Sequence, residues 1–164
     1  PAQRTLDALE RITFSARSML ERLDDIVWSI NPANDTVDDI VLRMRAFASE
    51  MLEPNGIAYT VNADENECSI PMDTRRQVYL IFKEALNNIV KHAACTSVAI
   101  SLETTGQKLA LTICDNGRGF MVGERTCGNG LHSMQRRADA IGGTLTITSQ
   151  QGTGTTLHLT VPIT

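Results

Sequence analysis

Aromatic residues are scarce, 4% of the 164-residue chain, with one tryptophan, two tyrosines and four phenylalanines. Histidine is scarcer still: only His92, His132 and His158. The four cysteines, Cys68, Cys95, Cys114 and Cys127, form no C-x-x-C pair, and none stands near a histidine at zinc-ligand spacing. A structural zinc is therefore not expected. Nor is a disulfide; the cysteines read as reduced thiols, two or three of them in or near strands. No apolar run is long enough to span a membrane, and no leader pattern opens the chain. Positive charge is not in excess, since the formal net charge is −4. That argues against a binder of nucleic acid or of a membrane surface. Internal repeats and low-complexity segments are lacking too.

What is present suits a globular domain. Apolar residues make up 42% and charged residues 21%, enough for one core with a small appendage. The chain begins at Pro1 without a methionine, so it is expected to be cut from a longer protein. From residue 4 to 30, Leu6, Leu9, Ile12, Ala16, Met19, Leu23, Ile26 and Ile30 recur at steps of three and four, close to a heptad seam. A helix with one such stripe needs a partner, either its own domain or a dimer bundle. Asn31-Pro32-Ala33-Asn34-Asp35 breaks the pattern.

Asp35 or Thr36 is placed to cap a second helix running to about Leu52, with Val37, Ile40, Val41, Met44, Phe47, Ala48 and Met51 inward. Pro54-Asn55-Gly56 stops it. Residues 57–62 read as a strand and 67–70 as a short second one. A third helix starts at Asp73 or Thr74 and ends near His92. Residues 97–103 and 109–114 alternate around a Thr105-Gly106-Gln107 turn. A helix over 131–141, closed by Gly142-Gly143, precedes strands at 144–149 and 155–162. This order predicts an α/β fold: a two-layer sandwich of one mixed sheet with helices on one face, plus an N-terminal helical extension.

Four stretches carry candidate chemistry. In the third helix, Val78, Ile81, Phe82, Ala85 and Ile89 form the core stripe, while Glu84, Asn88 and Lys91 share the opposite face with Asn87 at its border. A carboxylate can orient or deprotonate water, an amide oxygen suits Mg²⁺, and an ammonium suits phosphate. The alternative is an ordinary solvated face. Asp115-Asn116-Gly117-Arg118-Gly119-Phe120 follows an apolar run, so a carboxylate ends a strand beside two glycines that let the backbone pass close to a ligand. Alone it reads rather as an aspartate in a D-N-G turn. Gly128-Asn129-Gly130-Leu131 opens a helix, whose free N–H groups and dipole suit phosphate; alone it is a plain turn. Gly152-Thr153-Gly154-Thr155-Thr156 opens the last strand.

In this order, E-x-x-x-N-x-x-K-H and the three glycine boxes resemble the motifs of the GHKL ATPase superfamily. Within it they are similar to the ATP-binding domain of bacterial sensor histidine kinases. The resemblance covers roughly residues 36–164, and more loosely the helix before them. It implies the Bergerat fold, with nucleotide between helices and sheet, and ATP and Mg²⁺ as cofactors. It makes Asn88 the metal ligand and Glu84 a catalytic residue that orients a water on the metal. Lys91 falls where the family touches phosphate. His92 replaces an aromatic residue that stacks on adenine in some relatives; a surface histidine is the other reading. Asp115 would accept from the adenine amino group, with Gly117 and Gly119 against the purine. Gly128, Gly130 and Leu131 would line the phosphate end, and Thr155 or Thr156 would lie beside the base. Spacing selects Asn88 over Asn87.

Only seven residues, Met121 to Cys127, occupy the place of the family's lid over ATP, as in the kinase class that includes nitrate and membrane-fluidity sensors. Gly123 and Gly128 would be its hinges. Arg125 could reach a phosphate or remain solvated. The resemblance further implies that residues 1–31 are part of a helical dimerisation and phosphotransfer hairpin, and 36–164 the ATP-binding domain. Implied partners are a response-regulator receiver domain and a second copy through the N-terminal helix, with no nucleic acid. The segment would be cytoplasmic and the parent protein membrane-associated. Acceptor histidines of this family are followed by Asp or Glu, but His92, His132 and His158 are followed by Ala93, Ser133 and Leu159. The acceptor is therefore expected upstream of Pro1. Two alternatives share the superfamily: a serine kinase of the anti-sigma type, and an ATP-driven dimer clamp. The heptad helix and short lid argue against the first; the clamp needs a longer lid and a transducer domain. A degenerate module that binds no nucleotide is opposed by the intact boxes.

Overall fold

The heptad-like stripe at the N-terminus forms a single helix, α1, spanning Ala2–Ile30, in the computed structural model, which describes residues 2–31, 36–64, 68–121 and 129–163. This helix belongs to one compact unit, Pro1–Asn34; the other is Asp35–Thr164. Leu6, Leu9, Ile12, Met19, Leu23 and Ile30 are each 55–65% exposed, and Leu20 and Val27 widen the same apolar arc. Among the described residues no helix is long and apolar enough to cross a membrane.

The second unit opens with helix α2, Val37–Leu52. Thr36 is its cap: the Oγ accepts the Asp39 N–H at 3.3 Å, and the Asp39 carboxylate accepts the Thr36 N–H at 3.2 Å. This reciprocal box satisfies two otherwise orphaned groups. Val37, Ile40, Val41, Met44, Ala48 and Leu52 are buried, whereas Phe47 and Met51 are half-buried. A short 3₁₀ turn, Glu53–Asn55, ends the helix, and Gly56 closes it at φ 68°.

Strand β1 (Ala58–Ala63), helix α3 (Met72–Asn88), strands β2 (Ser97–Thr105) and β3 (Lys108–Asp115), helix α4 (Asn129–Ala140), and strands β4 (Thr144–Gln150) and β5 (Gly154–Pro162) complete the unit. The sheet order is β1-β2-β3-β5-β4. β1 runs parallel to β2, and every other pair is antiparallel. Val98, Ile100 and Leu102 of β2, Leu109, Leu111 and Ile113 of β3, and Leu157, Leu159 and Val161 of β5 are buried against the helices. Cys114 and His158, one step out of phase, are exposed on the other face. The result is the two-layer mixed-sheet sandwich that the pattern predicts. Three of the few aromatics, Phe47, Tyr79 and Phe82, meet between α2 and α3 with ring centroids 6.0–6.3 Å apart.

Two local expectations need correcting. Over 67–70, the described residues make only one bridge, Ser69 with Thr36. Pro71, which has no N–H to extend a ladder, follows at once and serves as the N-cap of α3. At its other end α3 does not stay α-helical to His92: Ile89–Ala93 form a π turn, and Ala94 ends it at φ 49°.

Candidate functional site

Three polar side chains lie in one row across the helix-covered face of the sheet. Asp115 of β3 pairs with Thr155 of β5, which pairs with Ser149 of β4. Asp115 is only 4% exposed. Its Oδ1 accepts the Gly117 N–H at 2.8 Å, so the D-N-G turn is real and also fixes the carboxylate. Among the described residues Oδ2 has no hydrogen-bond partner, which leaves a buried acceptor with capacity to spare. Nearby, burial and the negative charge of Asp115 push the Cys95 thiol above its ordinary pKa. That keeps it protonated, as expected of an inert cysteine.

The loop after Asp115 is held on both sides. A side chain at Gly117 would overlap the Ala93 carbonyl, and one at Gly119, at φ 62°, would overlap the Gln150 carbonyl. Arg118 donates its backbone N–H to the Ala93 carbonyl at 2.8 Å and its Nε to the His92 carbonyl at 2.7 Å. These are carbonyls left without helical partners at the π turn. The Arg118 carbonyl in turn accepts the Gly152 N–H at 2.6 Å. Asn116 accepts the Thr96 and Ser97 N–H groups at 2.9 and 3.0 Å. The aspartate box, the end of α3 and the β4–β5 turn are thereby one connected assembly.

Glu84 and Asn88 are half-buried on α3. A side chain at Gly130 would overlap the Glu84 carboxylate and reach 3.5 Å from Asn88 Nδ2, so the start of α4 lies against both. Asn87 donates its Nδ2 to the Lys83 carbonyl at 3.0 Å, a bond within its own helix that sets it apart from Asn88. Lys91 and His92 are exposed on the π turn, where the regular helical line through Glu84 and Asn88 has ended. Leu131 is half-buried in the first turn of α4. Of the two threonines, Thr155 lies on the inner face beside Asp115, whereas Thr156 donates to Cys114 Sγ at 3.4 Å on the outer face. Gly123, Arg125, Cys127 and Gly128 fall outside the described residues.

Sequence reasoning passed over Arg118 and Ser149. A signal for Ser149 exists: along β4 it follows Leu145 and Ile147 at period two, a lone hydroxyl on an otherwise apolar inward row. Arg118 offers none, because its bond spans 26 residues to a backbone carbonyl.

Comparison with known proteins places the chain in a family. Residues 73–164, over half of the chain, match the family described as histidine kinase-, DNA gyrase B- and HSP90-like ATPase. The chain is 35% identical over 126 residues to the signal transduction histidine-protein kinase/phosphatase UhpB of Salmonella typhimurium, a match covering 75% of this chain and 25% of that protein. It is 28% identical over 156 residues to the sensor histidine kinase YxjM of Bacillus subtilis, covering 94% of this chain and 37% of that one. The chain thus spans between 25% and 37% of the length of these curated relatives. The solved structure of Acinetobacter baumannii histidine kinase AdeS shares the fold at a TM-score of 0.68 and 15% identity, over 96% of this chain and 83% of that one. The chain belongs to the family of histidine kinase-, DNA gyrase B- and HSP90-like ATPases.

Proposed function

We propose that residues 36–164 are the catalytic domain of a sensor histidine kinase, which binds Mg-ATP and donates the γ-phosphate to a histidine in two-component signalling. The observation that carries this reading is Asp115. It is a buried carboxylate with an acceptor oxygen to spare, beside glycines that let its loop close against the Ala93 and Gln150 carbonyls, and it is tied through Arg118 to the end of the helix bearing Glu84 and Asn88.

In this reading Asp115 accepts a hydrogen bond from the adenine amino group, and Thr155 lies beside the base. The backbone N–H groups at Gly130 and Leu131 face the phosphates, assisted by the start of α4. Gly128 belongs to the same box. Lys91 supplies a phosphate-directed ammonium, and His92 is placed at the base end. Glu84 and Asn88 offer one carboxylate and one carboxamide, a donor set suited to a hard cation that keeps waters and shares phosphate oxygens. Mg²⁺ held there would neutralise phosphate charge.

Calorimetry with ADP and ATP tests the reading. Asp115→Asn replaces an acceptor with a donor that faces the amino group, and should cost ~1–3 kcal/mol of adenine-nucleotide affinity. Equal affinity in variant and wild type would remove Asp115 from the adenine role.

The exposed arc of α1 supports a further part of the proposal, a homodimer through this helix, with a receiver domain as the phosphate's next recipient. An arc this wide fits a helical bundle better than solvent. Met19→Glu with Leu23→Glu should give a monomer in light scattering that still binds nucleotide. Loss of nucleotide binding in that variant would instead make α1 part of the core of the domain.

A further inference from the structure

The Ser149 hydroxyl is surrounded by three polar groups of fixed or nearly fixed role. Its Oγ lies 2.8 Å from the Phe120 N–H, 3.2 Å from the Gly154 carbonyl oxygen and 2.9 Å from Thr155 Oγ1. An N–H can only donate and a carbonyl can only accept. A serine hydroxyl has one hydrogen and two lone pairs. When Phe120 takes one lone pair and Gly154 takes the hydrogen, the remaining lone pair is left for Thr155. The Thr155 hydroxyl must then donate to Ser149. The opposite assignment, Ser149 donating to Thr155, gives up the bond from Ser149 to the carbonyl of the buried Gly154.

We infer that Ser149 is a positioning residue that sets the base specificity of this site. It takes up the Thr155 hydrogen, so that Thr155 presents only lone pairs next to the acceptor Asp115. Two acceptors side by side match the exocyclic amine of adenine and repel the carbonyl that guanine carries at the same place. A Thr155 free to rotate would offer its hydrogen to that carbonyl and weaken the discrimination. Ser149 acts entirely through Thr155 and through the end of the aspartate loop at Phe120. The inference rests on the nucleotide-binding reading above.

The test is the ratio of ADP to GDP dissociation constants, measured by calorimetry for wild type, Ser149→Ala, Ser149→Thr and Thr155→Val. Because it is a ratio within one protein, it does not change when a variant is only partly folded. Ser149→Ala should reduce the preference for ADP about fivefold or more, the scale of one neutral hydrogen bond gained by the wrong base. Ser149→Thr, which keeps the hydroxyl, should restore it. In a Thr155→Val background, Ser149→Ala should leave the ratio unchanged, since there is no hydroxyl left to orient. An equal loss of ADP and GDP affinity in Ser149→Ala, with the preference intact, would overturn the inference and leave Ser149 a structural residue. If wild type binds neither nucleotide, the nucleotide-binding reading itself falls.

Discussion

Gly154→Ala should destabilise the domain by about 3–5 kcal/mol and remove adenine-nucleotide binding with it. Two causes add at this position. Gly154 has φ 95°, a conformation that L side chains rarely adopt. An added methyl would also overlap the carbonyl of Asp115 and stand 3.1 Å from the Asn116 Cα. Both neighbours are backbone, so neither can yield by turning a side chain. The strand end that fixes the Asp115 carboxylate would have to move. Gly152 provides the control. It has φ 85°, but a side chain there meets nothing within 4 Å. Gly152→Ala should therefore show only the conformational cost, roughly 1–2 kcal/mol. The difference between the two variants in urea denaturation isolates the close approach of β5 to Asp115. Equal losses would mean that the loop relaxes and that the approach is not demanded by the fold.

This pair of glycines marks how far the sequence could be read. The boxes stand out because glycine and aspartate cluster between periodic segments, and the alternation along β2, β3, β4 and β5 gives strands within a residue or two of those observed. For the cap of α2 the sequence offered Asp35 or Thr36, and the reciprocal box with Asp39, three residues on, decides for Thr36. Legibility ended where the cause is distant. The π turn at Ile89–Ala93 has no signature in a sequence that keeps its helical spacing through Ile89; it is seen only with Arg118 bonded to the carbonyls of His92 and Ala93. The choice between Thr155 and Thr156 needed strand register, because adjacent residues face opposite sides and only β3 decides which side holds Asp115. Glu84 lying against Gly130 joins two motifs 46 residues apart that periodicity treats separately.

Asn88→Ala should slow phosphoryl transfer about a hundredfold or more while leaving adenosine binding nearly intact. Transfer requires the γ-phosphate, its charge-neutralising contacts and the attacking nitrogen to be in line. Asn88 stands with Glu84 against the start of α4, whereas Asp115 and Thr155 form a separate row on the sheet. Removing the carboxamide should therefore affect the phosphate end alone, lowering the transfer rate on the order of 10²-fold or more, as loss of one preorganised polar contact does. The affinity gained from Mg²⁺ should vanish with it, and a variant keeping the full Mg²⁺ effect would place the metal elsewhere.

We propose that the acceptor lies outside the three histidines here. His158 is on the outer face of the sheet, with Nδ1 2.9 Å from Thr112 Oγ1 and Nε2 3.1 Å from Thr160 Oγ1. His132 is exposed on α4, and His92 gives its carbonyl to Arg118. Residues 1–164 with labelled ATP should therefore show no stable self-phosphorylation and only slow hydrolysis. Mixed with a separate helix bearing a histidine followed by Asp or Glu, the same domain should label that helix, and the product should be acid-labile and base-stable, as a phosphoimidazole is. Label on His92, His132 or His158 would show the acceptor misplaced. Acid-stable label on a serine or threonine would replace the histidine-kinase reading with the serine-kinase alternative.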